Sequence, residues 1–226
     1  HIVQVYNYGE YKGHKYLVME VADRGDLDGL IQKHGRVDEL YVLDVGVKIS
    51  SALELLDKKG MMHLDLKPDN IQIGDFGEVL VCDWGLARYN ETSELFADIE
   101  ADSAVGLTHY GSSLGTPGYM GPEQVTQSRD KLTRASDIYS LGAILYSILT
   151  HLPPIDGDEP KTIMADTVGG KIISPSKRTP QLLIPESLEA VCLKALRVDP
   201  SKRYENAESM KNEILQYNMG FATQAE

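Results

Sequence analysis

The chain has 226 residues, of which 42% are hydrophobic, and its net charge of −12 comes from 22 basic and 34 acidic residues. This length and composition suffice for one large domain with a single core. The acidic balance argues against nucleic acid or an anionic membrane as a partner, because both bind basic surfaces. No apolar run approaches the roughly 18 residues of a membrane span. Two cysteines are too few for a disulfide framework, which favours a reducing, cytoplasmic compartment.

The first part of the chain predicts a β-hairpin. Residues 2–8 and 15–22 are rich in β-branched and aromatic side chains, and residues 9–14 between them contain the glycines of a turn. A two-stranded hairpin is marginally stable alone, so these strands are expected to have neighbours. Unpaired strand edges also predict self-association of the chain through the hairpin.

Two helices are predicted after the hairpin. Asp26 is a good N-cap for a short helix that ends near His34 and Gly35. A longer helix is predicted over residues 38–59, because apolar side chains recur there at helical spacing. The recurring residues are Val42, Val45, Ile49, Leu53 and Leu56.

The segment that follows carries most of the chemistry. Asp65, Lys67 and Asn70 offer a carboxylate, an ammonium and an amide within six positions, and Asp83 adds a second carboxylate. This set suits phosphoryl transfer, in which a base accepts a hydroxyl proton, a cation offsets phosphate charge and oxygen atoms bind Mg²⁺. Pro68 stiffens the loop that presents these groups.

Residues 63–70 and 83–85 resemble the catalytic loop and the metal-binding motif of the eukaryotic-type serine/threonine protein kinases. Leu64 and Trp84 stand where that family usually has Arg and Phe. A literal copy of the metal motif at residues 75–77 comes too soon after the catalytic loop, because a hairpin must intervene. We interpret this copy as the turn between strands 70–74 and 78–82.

The resemblance implies a role for each polar residue of the loop. Asp65 is expected to accept the proton of the substrate hydroxyl, and Lys67 to offset the charge of the transferred phosphate. Asn70 and Asp83 are expected to bind Mg²⁺, and His63 to be structural. The implied ligands are ATP, Mg²⁺ and the Ser or Thr side chains of a protein substrate.

The resemblance also divides the chain. Residues 1–22 would be the remnant of the small lobe and hinge, and residues 23–226 the large lobe. The expected fold class is therefore α+β, a protein-kinase-like fold with a mainly helical large lobe and a residual β-hairpin. Glu20 and Ala22 would bind adenine through hinge backbone groups. Asp26 falls where the family often contacts the ribose, although its N-cap role explains the same residue equally well.

Several family features are missing from these 226 residues. There is no glycine-rich phosphate loop, no strand lysine in a Val-Ala-Ile-Lys context and no helix glutamate to pair with it. The sequence thus resembles a truncated domain that is inactive by itself, from a parent that phosphorylates Ser or Thr. The alternative is a pseudokinase or regulatory binding module, which Leu64, Gln72 and Gly121 favour. Gln72 replaces an apolar residue beneath adenine and either weakens that contact or turns outward.

An activation segment is expected over residues 83–123, because residues 115–123 resemble its end in the kinases. Thr116 would help to seat a Ser or Thr substrate beside Asp65. Residues 90–113 are acidic and rich in Gly, Ser and Thr, which predicts flexibility. Because Leu64 cannot bind a phosphate as Arg does, we expect activity that does not depend on phosphorylation of this segment.

The remaining sequence predicts a helical core. Residues 134–150 are apolar on nearly every face, which is typical of a buried central helix. By resemblance, its Asp137 anchors the backbone of the catalytic loop, and Glu123 forms a buried, bidentate ion pair with Arg203. Further helices are predicted near residues 159–168, 185–197 and 204–217, followed by frayed residues 218–226.

Overall fold

The computed structural model describes residues 1–34, 39–89, 115–126, 132–220 and residue 225. Within these ranges the chain has α+β content and is mainly helical. The strands are β1 (Val5–Tyr11), β2 (His14–Met19), β3 (Met61–Met62), β4 (Ile71–Ile73), β5 (Val79–Val81) and β6 (Arg88–Tyr89). The α-helices are α1 (Leu27–His34), α2 (Glu39–Lys59), α3 (Pro122–Val125), α4 (Arg134–Thr150), α5 (Pro160–Val168), α6 (Pro175–Arg178), α7 (Glu186–Ala195) and α8 (Ala207–Asn218). Short 3-10 helices span Pro68–Asn70, Pro180–Leu182 and Pro200–Lys202.

The helices surround α4, which is buried along almost its whole length. Thr133 caps this helix, since its side chain accepts a hydrogen bond from the backbone N–H of Ala135. The prediction of a buried central helix is thus confirmed. The predicted apolar face of α2 is confirmed as well, because every residue predicted for that face is buried. Burial of apolar side chains from α2, α4, α7 and α8 in one cluster is the main source of stability for this region.

The β-strands pair as antiparallel two-stranded ribbons, β1 with β2, β3 with β6 and β4 with β5. In the β4–β5 ribbon, Ile71 is opposite Val81 and Ile73 is opposite Val79, and all four side chains are buried. Because side chains alternate along a strand, Gln72 points to the opposite face of this ribbon. The ribbon extends from the catalytic loop and returns next to it, which positions the candidate site.

The predicted hairpin is confirmed, but the predicted extent of its turn is wrong. β1 continues to Tyr11, and only Lys12 and Gly13 form the turn, with φ angles of 53° and 80°. Positive φ at both central residues gives a tight turn whose twist matches that of the strands. Gly9 is a strand residue opposite Tyr16, where a side chain would collide with the Tyr16 ring.

The C-terminal helices match the predictions at α5, α7 and α8, while the four-residue α6 was not predicted. α8 begins later than expected because Asn206 is its N-cap and accepts a hydrogen bond from Ser209 N at 2.8 Å. The flexibility predicted for residues 90–113, and most of the fraying predicted for 218–226, lie outside the described residues. No helix in the described ranges is long and apolar enough to cross a membrane.

Candidate active site

The catalytic loop is fixed to α4 through the carboxylate of Asp137. Its Oδ2 and Oδ1 atoms accept hydrogen bonds from the backbone N–H groups of His63 and Leu64, each at 2.8 Å. Burial raises the pKa of Asp137, while the neighbouring His63 and the two N–H donors oppose that rise. A buried carboxylate needs such partners, so the loop and the central helix are joined where the candidate chemistry begins.

The imidazole of His63 is fully buried and links the loop to the end of β5. Its Nε2 lies 3.0 Å from the carbonyl oxygen of Cys82, and its Nδ1 lies 3.3 Å from the backbone N of Asp65. These two contacts correspond to a neutral ring with the proton on Nε2. Both ring nitrogens are therefore occupied by backbone groups, and the ring is not free to act as a base.

Asp65 is half-buried, and polar contacts hold its carboxylate. Thr116 Oγ1 donates a hydrogen bond to Oδ1 at 3.1 Å, and Asn70 Nδ2 lies 3.4 Å from Oδ2. The same Asn70 nitrogen donates to the carbonyl oxygen of Asp65 at 2.8 Å. The structure therefore brings together Asp65, Asn70 and Thr116, three of the residues that the sequence analysis selected.

Lys67 is placed next to this cluster by the geometry of the loop. It directly precedes the 3-10 helix Pro68–Asn70, in an extended conformation with φ −158°. The side chain is half-buried, and its Nζ forms no hydrogen bond or ion pair with any residue that the structure describes. A partly buried ammonium without a protein partner can pair with an anionic ligand.

Asn70 and Asp83 offer oxygen atoms of the kind that Mg²⁺ prefers. The Nδ2 atom of Asn70 is engaged by Asp65, and its Oδ1 has no hydrogen-bond partner among the described residues. Cys82 N donates to the carbonyl oxygen of Asn70 at 2.9 Å. Asp83 is the next residue after Cys82, so this hydrogen bond keeps its backbone near Asn70. Asp83 is exposed and has φ 59°. Within the described ranges, the only hydrogen bond to its carboxylate comes from Gly85 N, which lies 3.3 Å from Oδ1.

Two protein oxygens fit Mg²⁺, because this ion keeps several waters and binds substrate phosphates rather than an all-protein cage. Within the described ranges, no group of three or more His, Cys, Asp or Glu residues could hold a metal ion. The donor set formed by Asn70 and Asp83 therefore suits a magnesium ion that a phosphate ligand also coordinates.

The literal copy of the metal motif is a solvent-exposed turn, as predicted. Gly74 N donates to Glu78 O at 2.9 Å, and Gly77 N donates to Gly74 O at 3.2 Å. Asp75 forms an exposed ion pair with Arg24 at 3.1 Å. The turn lies at the far end of the β4–β5 ribbon from the catalytic loop, so that Asp75 cannot share a ligand with Asn70.

Of the residues predicted to bind the nucleotide, Asp26 lies beside β4, where it forms a β-bridge with Gln72. Arg24 N donates to Ile73 O at 3.0 Å, and Ile73 N donates to Gly25 O at 2.9 Å. Asp26 has the predicted capping contact, since its Oδ1 accepts a hydrogen bond from Gly29 N at 2.8 Å. Of the two roles considered for Asp26, the structure thus contains the cap, and its Oδ2 accepts no hydrogen bond from the described residues.

Glu20 and Ala22, which the sequence analysis assigns to a hinge, are half-buried. Glu20 N donates to Gln4 O at 2.9 Å, and the Glu20 carboxylate accepts a hydrogen bond from Gln4 N. These contacts hold the start of the segment that connects the hairpin to α1. No contact between Ala22 and the catalytic loop is present among the described residues.

The predicted ion pair between Glu123 and Arg203 is present and bidentate. The Nη1 and Nη2 atoms of Arg203 lie 2.7 and 2.8 Å from the two carboxylate oxygens. Burial opposes ionisation of Glu123, but the hydrogen bonds and charge of Arg203 outweigh it and lower the pKa of Glu123. The remaining guanidinium hydrogen bonds go to the carbonyl oxygens of Ala135, Arg197 and Val198.

Sequence reasoning missed Gln124. This side chain is 2% exposed, and its Nε2 donates to the carbonyl oxygen of Leu64 at 2.8 Å. The contact joins α3 to the residue before Asp65. A polar residue immediately after Glu123 was the only available signal, and it does not indicate which carbonyl the amide contacts.

Comparison with known proteins finds sequence similarity to protein kinases. The family model described as the protein kinase domain matches residues 1–215. A probable serine/threonine-protein kinase of Clostridium perfringens is 30% identical over 94% of this chain and 29% of its own length. The serine/threonine-protein kinase PknD of Chlamydia abortus is 38% identical over 79% of this chain and 19% of its own length. The serine/threonine-protein kinase PknB of Mycobacterium leprae is 33% identical over 97% of this chain and 33% of its own length. This chain therefore spans a third or less of the length of each of these relatives.

Proposed function

Because this chain belongs to the protein kinase domain family, we propose that its parent protein is a serine/threonine kinase that uses ATP and Mg²⁺. The observation that carries the proposal is the contact of Asp65 with both Asn70 and Thr116. That arrangement puts a candidate base beside a candidate metal ligand and beside a hydroxyl at the end of the activation segment. The names of the relatives, which are serine/threonine-protein kinases, favour Ser or Thr as the acceptor.

This proposal assigns a chemical role to each residue of the candidate site. Asp65 accepts the proton of the substrate hydroxyl, with its carboxylate aimed by Thr116. Lys67 would pair with the transferred phosphate through its Nζ, which has no hydrogen-bond partner among the described residues. Asn70 and Asp83 would hold Mg²⁺, which when bound would offset the negative charge of the phosphates. Glu20, Ala22 and Asp26 are the proposed contacts to the nucleotide.

We also propose that residues 1–22 are the remnant of a small lobe with its hinge, and residues 23–226 a large lobe. The exposure of the hairpin supports this division, because Tyr8 is 79% and Tyr11 66% exposed. Such aromatic side chains on a two-stranded ribbon normally pack against neighbours. For the same reason we propose that the 226-residue chain self-associates through the hairpin. A single monomeric species by light scattering at increasing concentration would contradict self-association.

Phosphotransfer in the full-length parent protein tests the proposed function. Asp65→Asn and Asp83→Asn should each lower kcat by about 10²- to 10⁴-fold, because they remove the base and a metal ligand. The matched control is Asp75→Asn, which changes the exposed literal copy of the motif and should leave kcat within about twofold. Equal losses at residues 75 and 83 would refute the assignment of the metal ligand.

Wild-type parent protein that binds ATP without transferring phosphate would instead support the pseudokinase alternative. The 226-residue chain should be inactive in the same assay, because it has no glycine-rich loop and no strand lysine. Phosphotransfer by this chain alone, abolished by Asp65→Asn, would refute the proposed requirement for those features.

A further inference from the structure

Leu64 adopts a backbone conformation that is unfavourable for its residue type. Its φ angle is 64°, and its side chain is 1% exposed. The left-handed region is unfavourable for a bulky residue, which adopts it only where the surroundings impose it. Since Leu64 directly precedes Asp65, whatever holds Leu64 in this conformation also determines where Asp65 points.

The peptide group between Leu64 and Asp65 is held at both ends. Its carbonyl oxygen accepts a hydrogen bond from Gln124 Nε2 at 2.8 Å. Its N–H group, which belongs to Asp65, lies 3.3 Å from His63 Nδ1. Because a peptide group is planar, fixing both its oxygen and its N–H fixes the orientation of the whole plane and of the Cα atom of Asp65.

The amide of Gln124 is itself oriented by the backbone of its own segment. Its Oε1 accepts a hydrogen bond from Gly121 N at 3.1 Å, which leaves Nε2 to face Leu64. Rotation of the buried amide by 180° would place Nε2 against an N–H group and Oε1 against a carbonyl oxygen. Both hydrogen bonds would then be lost in a buried environment, so one amide orientation is strongly preferred.

The same segment touches Asp65 a second time. Thr116 contacts the Asp65 carboxylate, and Gly115 lies against the backbone of the catalytic loop. A Cβ atom at Gly115 would be 3.1 Å from the Leu64 oxygen and 2.8 Å from Met120 Cγ, at a φ of 110°. Residues 115–124 therefore contact both the peptide group that precedes the candidate base, Asp65, and the side chain of Asp65.

We propose that Gln124 is a positioning residue, which orients Asp65 for proton transfer by holding the Leu64 carbonyl. The inference rests on the proposed kinase function and deepens it, because it makes α3 part of the machinery that aims the base. A displaced base lowers the rate of transfer more than it lowers the affinity for nucleotide, since the hydrogen bonds described for Gln124 go to Leu64 and Gly121, and Leu64 directly precedes the base.

Gln124→Glu in the full-length protein tests this role through its pH profile. A protonated Glu side chain can donate to the Leu64 oxygen and accept from Gly121 N–H, as the amide does, whereas the carboxylate cannot donate. At pH 8 we expect kcat to fall by about 10- to 100-fold, with the KM for ATP within about twofold of wild type. Towards pH 6 the ratio of variant to wild-type kcat should rise several-fold, because burial favours the protonated acid.

Two further variants complete the design. Gln124→Met keeps the length of the side chain but can form neither hydrogen bond, so its kcat should be low at both pH values. Gln181→Glu changes an exposed glutamine in the same way and should match wild type throughout. A kcat within twofold of wild type for Gln124→Met, or a Gln124→Glu loss that is the same at pH 6 and pH 8, would overturn the inference.

Hydrogen exchange separates failure of this inference from failure of the proposed function. If the wild-type protein transfers no phosphate, the proposed function fails, but the amides of Leu64 and Asp65 remain measurable. They should exchange at least several-fold faster in Gln124→Met than in wild type, because the peptide plane loses one of its two restraints. Unchanged exchange at both amides would overturn the positioning role even in an inactive protein.

Discussion

Replacing Arg203 by Ala should lower the free energy of unfolding more than the loss of any exposed ion pair of this chain would. The Arg203 side chain is 0% exposed and the Glu123 side chain 4%, so the variant leaves a buried carboxylate without its counter-ion. Among the described residues, Ser136 Oγ at 2.8 Å is the one side-chain donor that remains to it. The loss of one partner of a buried ion pair typically costs about 3–5 kcal/mol. This is a large part of the roughly 5–15 kcal/mol that stabilises a typical domain.

Urea denaturation of the 226-residue chain measures this cost, with Lys202→Ala, an exposed neighbour, as the control. The unfolding midpoint should fall by an amount equivalent to about 3–5 kcal/mol for Arg203→Ala and less than about 0.5 kcal/mol for the control. Arg203→Lys should recover only part of the loss, because an ammonium cannot form the bidentate contact. A loss below about 1 kcal/mol for Arg203→Ala would refute the reasoning.

The pH dependence gives an independent check on the same pair. Because pairing with Arg203 lowers the pKa of Glu123 in the folded chain, this stabilisation is complete above the ordinary value of 4.5. It is lost as the pH falls through the lower, folded-state value. The difference between wild type and Arg203→Ala should therefore be largest near neutral pH and shrink below pH 4.5. A difference that grows on acidification would contradict the assigned direction.

Three further changes have defined outcomes. Asp137→Asn puts an NH₂ group against a backbone N–H of the catalytic loop, and should lower the free energy of unfolding by about 1–3 kcal/mol in urea titrations. Gln72→Leu should lower the KM for ATP roughly three- to fivefold at unchanged kcat, because in the proposed site this residue lies beneath adenine and leucine adds apolar contact there. Alanine at the activation-segment hydroxyls should leave the activity of the parent within about threefold, because the buried Leu64 cannot pair with a phosphate. The hydroxyl residues, which lie outside the described ranges, are Thr92, Ser93, Ser103, Thr108, Ser112 and Ser113.

The helices that could be predicted from sequence are those in which a regular pattern of apolar residues determines which face is buried. The apolar spacing of α2 and the all-round apolar character of α4 each leave one favourable arrangement. α6 was missed because four residues are too short to display a helical period. The predicted hairpin turn was too long because glycine is common in turns and Gly9 was therefore assigned to it. In the structure Gly9 is a strand residue that leaves space for the ring of Tyr16.

At the candidate site, local motifs predicted residues but not the contacts between distant segments. The ion pair of Glu123 with Arg203 followed from the family resemblance, because both partners lie in recognisable motifs. Gln124 lies in no such motif, and its contact with Leu64 spans 60 residues of sequence. The left-handed conformation of Leu64 was equally hidden, since its cause is a set of hydrogen bonds from two other parts of the chain.

The exposed turn at residues 74–78 offers a place for a chemical label. Phe76 is 93% exposed, and burial raises the pKa of both native thiols, Cys82 and Cys192. A thiol introduced by Phe76→Cys should therefore react with a maleimide dye much faster than either native cysteine, because the thiolate is the reacting species. Since β4 and β5 connect this turn to Asn70 and Asp83, a fluorophore there could report when nucleotide and metal bind.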